Sequence, residues 1–473
     1  MSETVQVDVS AGTLRGVRDG GVDRYLGIPY AQPPVGDRRF AAPVPAAAWT
    51  GARDAERFGA TAPQSPYPGA LGALLTSPVI EGDDILTVNV WTPAARPDRP
   101  LPVVLWIHGG ALERGTTAQP TYDGTAFARD GIVFVSANYR LGVEGFSVLE
   151  GAPRNIGLLD VALALEWVRA EIAVFGGDPE RVTLMGESAG GALVAALLAR
   201  PASRALVAGA IIQSGPLEAQ PEQQARRASD AIARHLGIPA TREAFASRTT
   251  AELLRARSEI AAGSSPLRGA PGFQPAIDPE TLPASPIDVL ADAELPLLIG
   301  SNSDEYRLWL TPEALAQIGP AKAWLARRST RTPERAARAV RAALPDSSPG
   351  EVIGQLLTDR MLRAPLVRAA TARTAPTYVY EFAWESPVRD LRAAHAMELG
   401  FTFDRLDDEE AIRLSGPDAP AGLARAMHAA WVSFIATGDP GWPSFGSARA
   451  TQIWDVEPRV EPLRRAAVVD ALL

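Results

Sequence analysis

The chain contains no cysteine, which removes disulfides, thiolate metal sites and a cysteine nucleophile together. No oxidising compartment is implied, and cytoplasmic residence is the expectation. Long apolar runs are missing as well: none approaches the roughly 18 residues of a membrane span. The opening "MSETVQVDVSAGTLRG" is acidic and polar where a secretion signal has a basic start and an apolar core. No membrane partner is expected. Basic charge is outweighed, with 46 Lys+Arg dispersed among 55 Asp+Glu for a net charge of −9. Without a basic stripe to meet a phosphate backbone, nucleic acid is not expected as a partner. There is no metal-binding His pair, no phosphate-cradling Gly-x-x-x-x-Gly-Lys and no dinucleotide fingerprint, so neither cofactor nor metal is expected.

What is present is a chain of 473 residues, 46% hydrophobic and 21% charged, the composition of a globular protein with a large core. Length alone allows about three domains. Yet no linker rich in Gly, Ser or charge and no internal repeat interrupts it, which favours one domain over residues 1–473. Short β-branched runs recur at 87–93, 101–108, 131–139, 181–185, 208–214, 295–301 and 377–384, several apolar throughout, as strands covered on both faces must be. Helical patterns lie between them, such as the one that begins near Asn155 and stops at Gly176 and Gly177. Alternation of this kind predicts an α/β fold, a mostly parallel central sheet with helices on both faces. Two stretches break the alternation. About 217–290 joins a helix to a Pro-rich loop, and about 311–370 is Ala/Arg-rich and helical; both are candidates for insertions that form a pocket or lid.

The stretch "VTLMGESAGGALVAALL" (182–198) places Ser188 in Gly-x-Ser-x-Gly between an apolar run and a small-residue helix former. The pattern alone is weak, but its context is that of a nucleophile elbow: a buried strand, a sharp turn, then a helix whose free N–H groups face the reacting oxygen. The competing reading makes Ser188 an N-cap and Glu187 a complement to the helix dipole.

A serine nucleophile needs a base, and only four histidines are available. His235 sits at a helix end, where a cation suits the dipole. His428 lies inside a helix, and His108 closes a strand and opens "HGGA". His395 follows the strand 377–384 after a connecting segment and is best placed, because catalytic groups of open α/β sheets gather beyond the carboxyl ends of the strands. An acid should orient that imidazole. "LPLLIGSNSDEY" offers Asp304 and Glu305 just past a buried strand, and these physical considerations do not separate the two. The glycines of "HGGA" allow backbone N–H groups to turn inward as an oxyanion hole, completed by the N–H of Ala189.

With these residues in place, the sequence resembles the type B carboxylesterases, the bacterial relatives of cholinesterases and para-nitrobenzyl esterases. The likeness runs over nearly the whole chain, through "YLGIPYAQPPVGDRRFAAP", "DDILTVNVWTP", "WIHGGAL", "ANYRLGVEGF", "FGGDPERVTLMGESAGG", "AIIQSG", "PLLIGSNSDE", "AAHAMEL" and "WVSFIATGDP". It implies the α/β-hydrolase fold and a serine hydrolase that cleaves carboxylic esters through an acyl-enzyme. It further implies Ser188 as nucleophile, His395 as base and Glu305, rather than Asp304, as acid. Gly110, Ala111 and Ala189 would supply the oxyanion donors, with Gly109 shaping the loop and Glu187 in support. Four positions depart from the family pattern. Ile85 stands where members often have a disulfide cysteine, Leu112 and Glu113 stand where an aromatic often follows "HGGA", and Tyr306 stands where glycine is common in the animal branch. The same triad could serve amide, carbamate or lactone bonds. A non-catalytic binding module is the reading from another class, and it is disfavoured because no triad residue is missing. Oligomeric state is not legible.

Overall fold

The computed structural model describes residues 3–95, 98–263 and 272–473. These form two compact units, each built from separated chain segments. The first takes residues up to Tyr67, Thr76–Ala210 and Glu218–Val289; the second takes Pro68–Leu75, Ile211–Leu217 and Leu290–Leu473.

The first unit holds β1 (Glu3–Val9), β2 (Gly12–Asp19), β3 (Val22–Pro29), β4 (Ala52–Asp54), β5 (Thr87–Pro93), β6 (Leu101–Ile107), β7 (Val133–Ala137) and β8 (Gly177–Glu187). Their order is β1-β2-β3-β5-β7-β6-β8, with β4 beside β2. The ladder is antiparallel from β1 to β7 and parallel where β6 pairs with β7 and β8. Sequence explains the change. β6 and β7 are apolar and buried along nearly their whole length, as strands covered on both faces require, whereas β1 and β2 alternate toward solvent. The helix Ile156–Glu171 covers part of this sheet and sends Asp160 inward to Arg140. Both side chains are buried, and the pair is a fork: Arg140 Nη2 donates to Oδ1 at 2.6 Å and Nε to Oδ2 at 2.8 Å.

The strand β9 (Gly209–Gln213) has its first two residues in the first unit and its last three in the second. In the second unit β12 (Leu297–Asn302), β13 (Thr377–Phe382) and β14 (Ala450–Trp454) run parallel, and β15 (Arg459–Pro462) closes that ladder antiparallel. The remaining strands, β10 (Gln220–Pro221) and β11 (Ala276–Ile277), make a two-residue parallel ladder in the first unit. All seven apolar runs read as strands are strands.

Both stretches read as insertions are helical. The first carries helices Glu222–Leu236, Arg242–Ala246 and Thr250–Ala262; the part of its Pro-rich loop at 264–271 lies outside the described residues. The second carries Pro320–Ser329, Glu334–Ala343, Pro349–Thr358 and Ala364–Ala372. These bury small side chains such as Ala336, Ala337 and Val340 against Val352, Leu356 and Val468. Among the described residues no helix is long and apolar enough to cross a membrane.

Removing one member of a buried ion pair strands the other charge. Asp160→Ala should therefore lower the unfolding free energy by about 3–5 kcal/mol. Equilibrium denaturation would read the effect, and a change below about 1 kcal/mol, the worth of an exposed pair, would contradict it.

Candidate active site

β8 ends at Glu187, the helix Ala189–Leu198 begins at once, and Ser188 alone makes the turn. Its backbone has φ 54° and ψ −122°, a region that L residues rarely occupy. Glycine permits the turn on both sides. A Cβ on Gly186 would lie 2.5 Å from the Gly190 carbonyl carbon, and one on Gly190 would collide with the Ile107 carbonyl at the end of β6. The N-cap reading of Ser188 fails, because its hydroxyl makes no capping bond to the helix. The side chain is half-buried, and the helix N-terminus lies directly behind it.

The neighbouring loop is built against this turn. Gly109 has no room for a side chain: a Cβ would stand 2.6 Å from Glu187 Oε2 and 3.1 Å from Ser188 Cβ. Gly110 has φ 108°, and Ala111 and Leu112 are both left-handed, at 57° and 61°. The backbone N–H groups of Gly110, Ala111 and Ala189 have no acceptor among the described residues. His108 underlies the loop. Its Nδ1 is 2.8 Å from the Gly109 carbonyl, its own carbonyl accepts from Tyr139 Oη at 2.8 Å, and its ring stacks on that of Tyr139 at 4.5 Å. Burial pushes the imidazole down to about 4, so His108 is neutral and supports the loop as a packed ring. Glu187, next to Ser188 in the chain, is buried.

In the second unit, Glu305 and His395 form a buried pair, with His395 Nδ1 2.5 Å from Glu305 Oε2. With Nδ1 as the donor, Nε2 is left as the basic nitrogen. The other carboxylate oxygen, Oε1, accepts from Ser214 Oγ at 2.6 Å and from the Asn302 backbone N–H at 2.7 Å. Asp304, the competing acid, faces Arg307 at 3.7 Å instead. Trp309 leans on the His395 ring at a centroid distance of 4.8 Å and is half exposed.

Sequence reading missed two members of this network. Ser214 sits at the end of β9 within "AIIQSG". Glu398 follows His395 by three residues, is fully buried, and accepts from Asn302 Nδ2 at 2.6 Å and from Gln213 Nε2 at 3.3 Å. The spacing His-x-x-Glu was the available signal, but it has no meaning until the fold brings Asn302 between two carboxylates. The other histidines take the expected places. His235 ends its helix, with Nε2 2.7 Å from Glu259, and His428 is packed, with Nδ1 2.8 Å from the Thr402 carbonyl. Tyr306 is buried against Gly354, where a Cβ would strike its ring.

The strained serine turn in the first unit and the buried His–Glu pair that follows parallel strands in the second are each features of an α/β hydrolase. Comparison with known proteins narrows the class. Residues 3–461 match the model of the carboxylesterase family. The chain is 37% identical to the para-nitrobenzyl esterase of Bacillus subtilis (strain 168), over 96% of each chain. It is also 37% identical to the phenmedipham hydrolase of Pseudarthrobacter oxydans, over 92% of each. A crystal structure of a carboxylesterase from Geobacillus stearothermophilus superposes with a TM-score of 0.87 at 34% identity, covering 99% of this chain and all of that one. The chain belongs to the carboxylesterase family and is a carboxylic ester hydrolase.

Burial and the nearby Glu305 carboxylate push the Glu398 carboxyl up to about 7 from its ordinary 4.5. The folded chain then holds a proton that the unfolded chain has already lost. The resulting stabilisation is full below about 4.5 and is lost as pH rises through about 7. Glu398→Gln should flatten the stability profile across that window, as read by unfolding at stepped pH. An unchanged slope would count against a protonated Glu398.

Proposed function

We propose that Ser188, His395 and Glu305 act as a catalytic triad in ester hydrolysis, with the backbone N–H groups of Gly110, Ala111 and Ala189 as the oxyanion hole. Gly109 shapes that loop, and Glu187 steadies the network beside the nucleophile. The observation that carries this reading is the backbone of Ser188: strain of about 1–3 kcal/mol is maintained at a serine that caps nothing. A strained, uncapped hydroxyl at a helix N-terminus is presented for attack.

Ser188 Oγ adds to the ester carbonyl while His395 Nε2 takes its proton. Glu305 holds the ring in the Nδ1–H tautomer and offsets the imidazolium charge. The carbonyl oxygen becomes an oxyanion at the unpaired N–H groups, which need no reorganisation to receive it. Collapse expels the alcohol, which takes the proton from His395 and leaves Ser188 acylated. Water, deprotonated by the same imidazole, then releases the acid and restores the serine. No cofactor or metal is required.

The whole chain acts in this reading as one α/β-hydrolase domain, its helical insertions at about 217–290 and 311–370 shaping the pocket or lid. The name of the Bacillus subtilis relative suggests a para-nitrobenzyl ester as a first substrate, and short-chain para-nitrophenyl esters offer a convenient probe of the same reaction. Cytoplasmic residence rests on the absence of cysteine. Neither nucleic acid nor a membrane takes part.

Steady-state kinetics on para-nitrophenyl acetate test the assignment. Ser188→Ala and His395→Ala should each lower kcat by about 10⁴-fold or more, and Glu305→Gln by about 10³–10⁴-fold. Asp304→Asn should leave kcat near the parent value. Full activity in Ser188→Ala, or a collapse in Asp304→Asn but not in Glu305→Gln, would overturn these roles.

A further inference from the structure

The loop that starts at Gly109 carries an unusual load. Ala111 and Leu112 are consecutive left-handed residues, and neither is glycine. Such a turn persists only where its surroundings over-determine it. Several backbone ties do part of this: Glu113 and Arg114 donate to the Gly110 carbonyl at 3.1 and 2.9 Å, and Gly142 donates to the Leu112 carbonyl at 2.6 Å. Gln64 and Gly115 exchange two bonds at 2.9 and 3.0 Å.

One tie differs in kind, because it is a side-chain ion pair to an insertion. Arg257, on the helix Thr250–Ala262, grips Glu113 with both arms of its fork: Nη2 to Oε1 at 2.6 Å and Nε to Oε2 at 3.2 Å. The side chains are only 13% and 15% exposed, and the guanidinium lies 5.5 Å from the centre of the buried Phe273 ring. Solvent therefore screens the pair weakly, and its planar fork fixes direction as well as distance. The helix behind it is itself anchored. It opens on a capping box of Thr249 and Glu252, and Thr250 Oγ1 donates to Glu144, which also holds Arg39. Arg257 thus reaches the loop from a fixed platform.

We propose that the Glu113–Arg257 pair is a positioning clamp for the oxyanion loop, joining the first insertion to the donors at Gly110 and Ala111. The clamp rests on the oxyanion role proposed for that loop. Two residues beyond Ala111, it resists the relaxation of Ala111 and Leu112 toward ordinary backbone angles, which would turn the N–H groups away from the developing oxyanion. Glu113 and Arg257 act through the loop, so both are positioning residues. Their effect belongs to the transition state, where the donors matter, rather than to the bound ester.

The test uses Glu113→Gln and Arg257→Gln, which break the same pair from two different elements, and the charge-reversed double variant Glu113→Arg/Arg257→Glu. Rates on para-nitrophenyl acetate are expressed per site labelled by a fluorophosphonate, so misfolded molecules do not count. Each single variant should lose about 10- to 100-fold in kcat with KM unchanged. Affinity for a trifluoromethyl ketone, whose adduct carries an oxyanion, should fall by the same factor, and the reversed pair should recover part of both losses. The clamp is refuted if per-site kcat and ketone affinity are unchanged in both singles, if KM alone rises, or if the reversed pair recovers nothing. If the parent protein takes up no fluorophosphonate at Ser188, the serine assignment fails and the clamp falls with it. A labelled parent with unaffected variants sinks the clamp alone.

Discussion

A residue with a side chain must occupy backbone angles that disfavour side chains, and it must do so where two strands end side by side. Ile107 of β6 pairs with Gly186 of β8. One residue past β8, Ser188 turns the chain at φ 54° into a helix, and two residues further Gly190 lies against the Ile107 carbonyl with no space for a Cβ. Strand end and helix start thus approach closely on both sides of the serine. This approach also fixes the neighbouring loop, since Gly109 packs on Glu187 and on the Cβ of Ser188. Ser188 and the N–H groups of that loop thus share one strained junction, and a shift in either would be felt by both.

Electrostatics impose the second constraint. Glu305 is buried, yet each of its oxygens has a donor: His395 on one, Ser214 and Asn302 on the other. Such full hydrogen bonding is what a carboxyl group held away from water requires. A second carboxylate, Glu398, reaches the same Asn302 side chain, and burial together with the charge on Glu305 keeps its proton in place up to about 7.

Legibility in the sequence followed the range of the interactions. The seven apolar strands were readable because burial on both faces leaves a continuous local signature, and the serine turn because strand, glycines and helix are contiguous. The antiparallel strands at the N-terminus, β1 to β3, alternate polar and apolar residues and were passed over, as was the β14–β15 pair. Local chemistry does not separate Asp304 from Glu305, adjacent residues whose directions are set by a short helix, Glu305–Leu308, that turns one toward His395 and the other toward Arg307. Ser214 and Glu398 were invisible because each gains its meaning from a distant partner, Glu305 at 91 residues from the first and Asn302 at 96 from the second. The same holds for Glu113, noticed in the sequence as a departure from the family pattern; its partner Arg257 lies 144 residues on.

The central claim is that catalysis passes through a covalent intermediate on Ser188. Its most direct test is rapid quenching of the protein with a para-nitrophenyl ester, followed by mass spectrometry of the intact chain and its peptides. The account predicts that one acyl group accumulates per chain, on the peptide that carries Ser188, and disappears once the ester is consumed. Turnover with no acylated chain even when deacylation is slowed, or acylation at another residue that keeps pace with turnover, would contradict it.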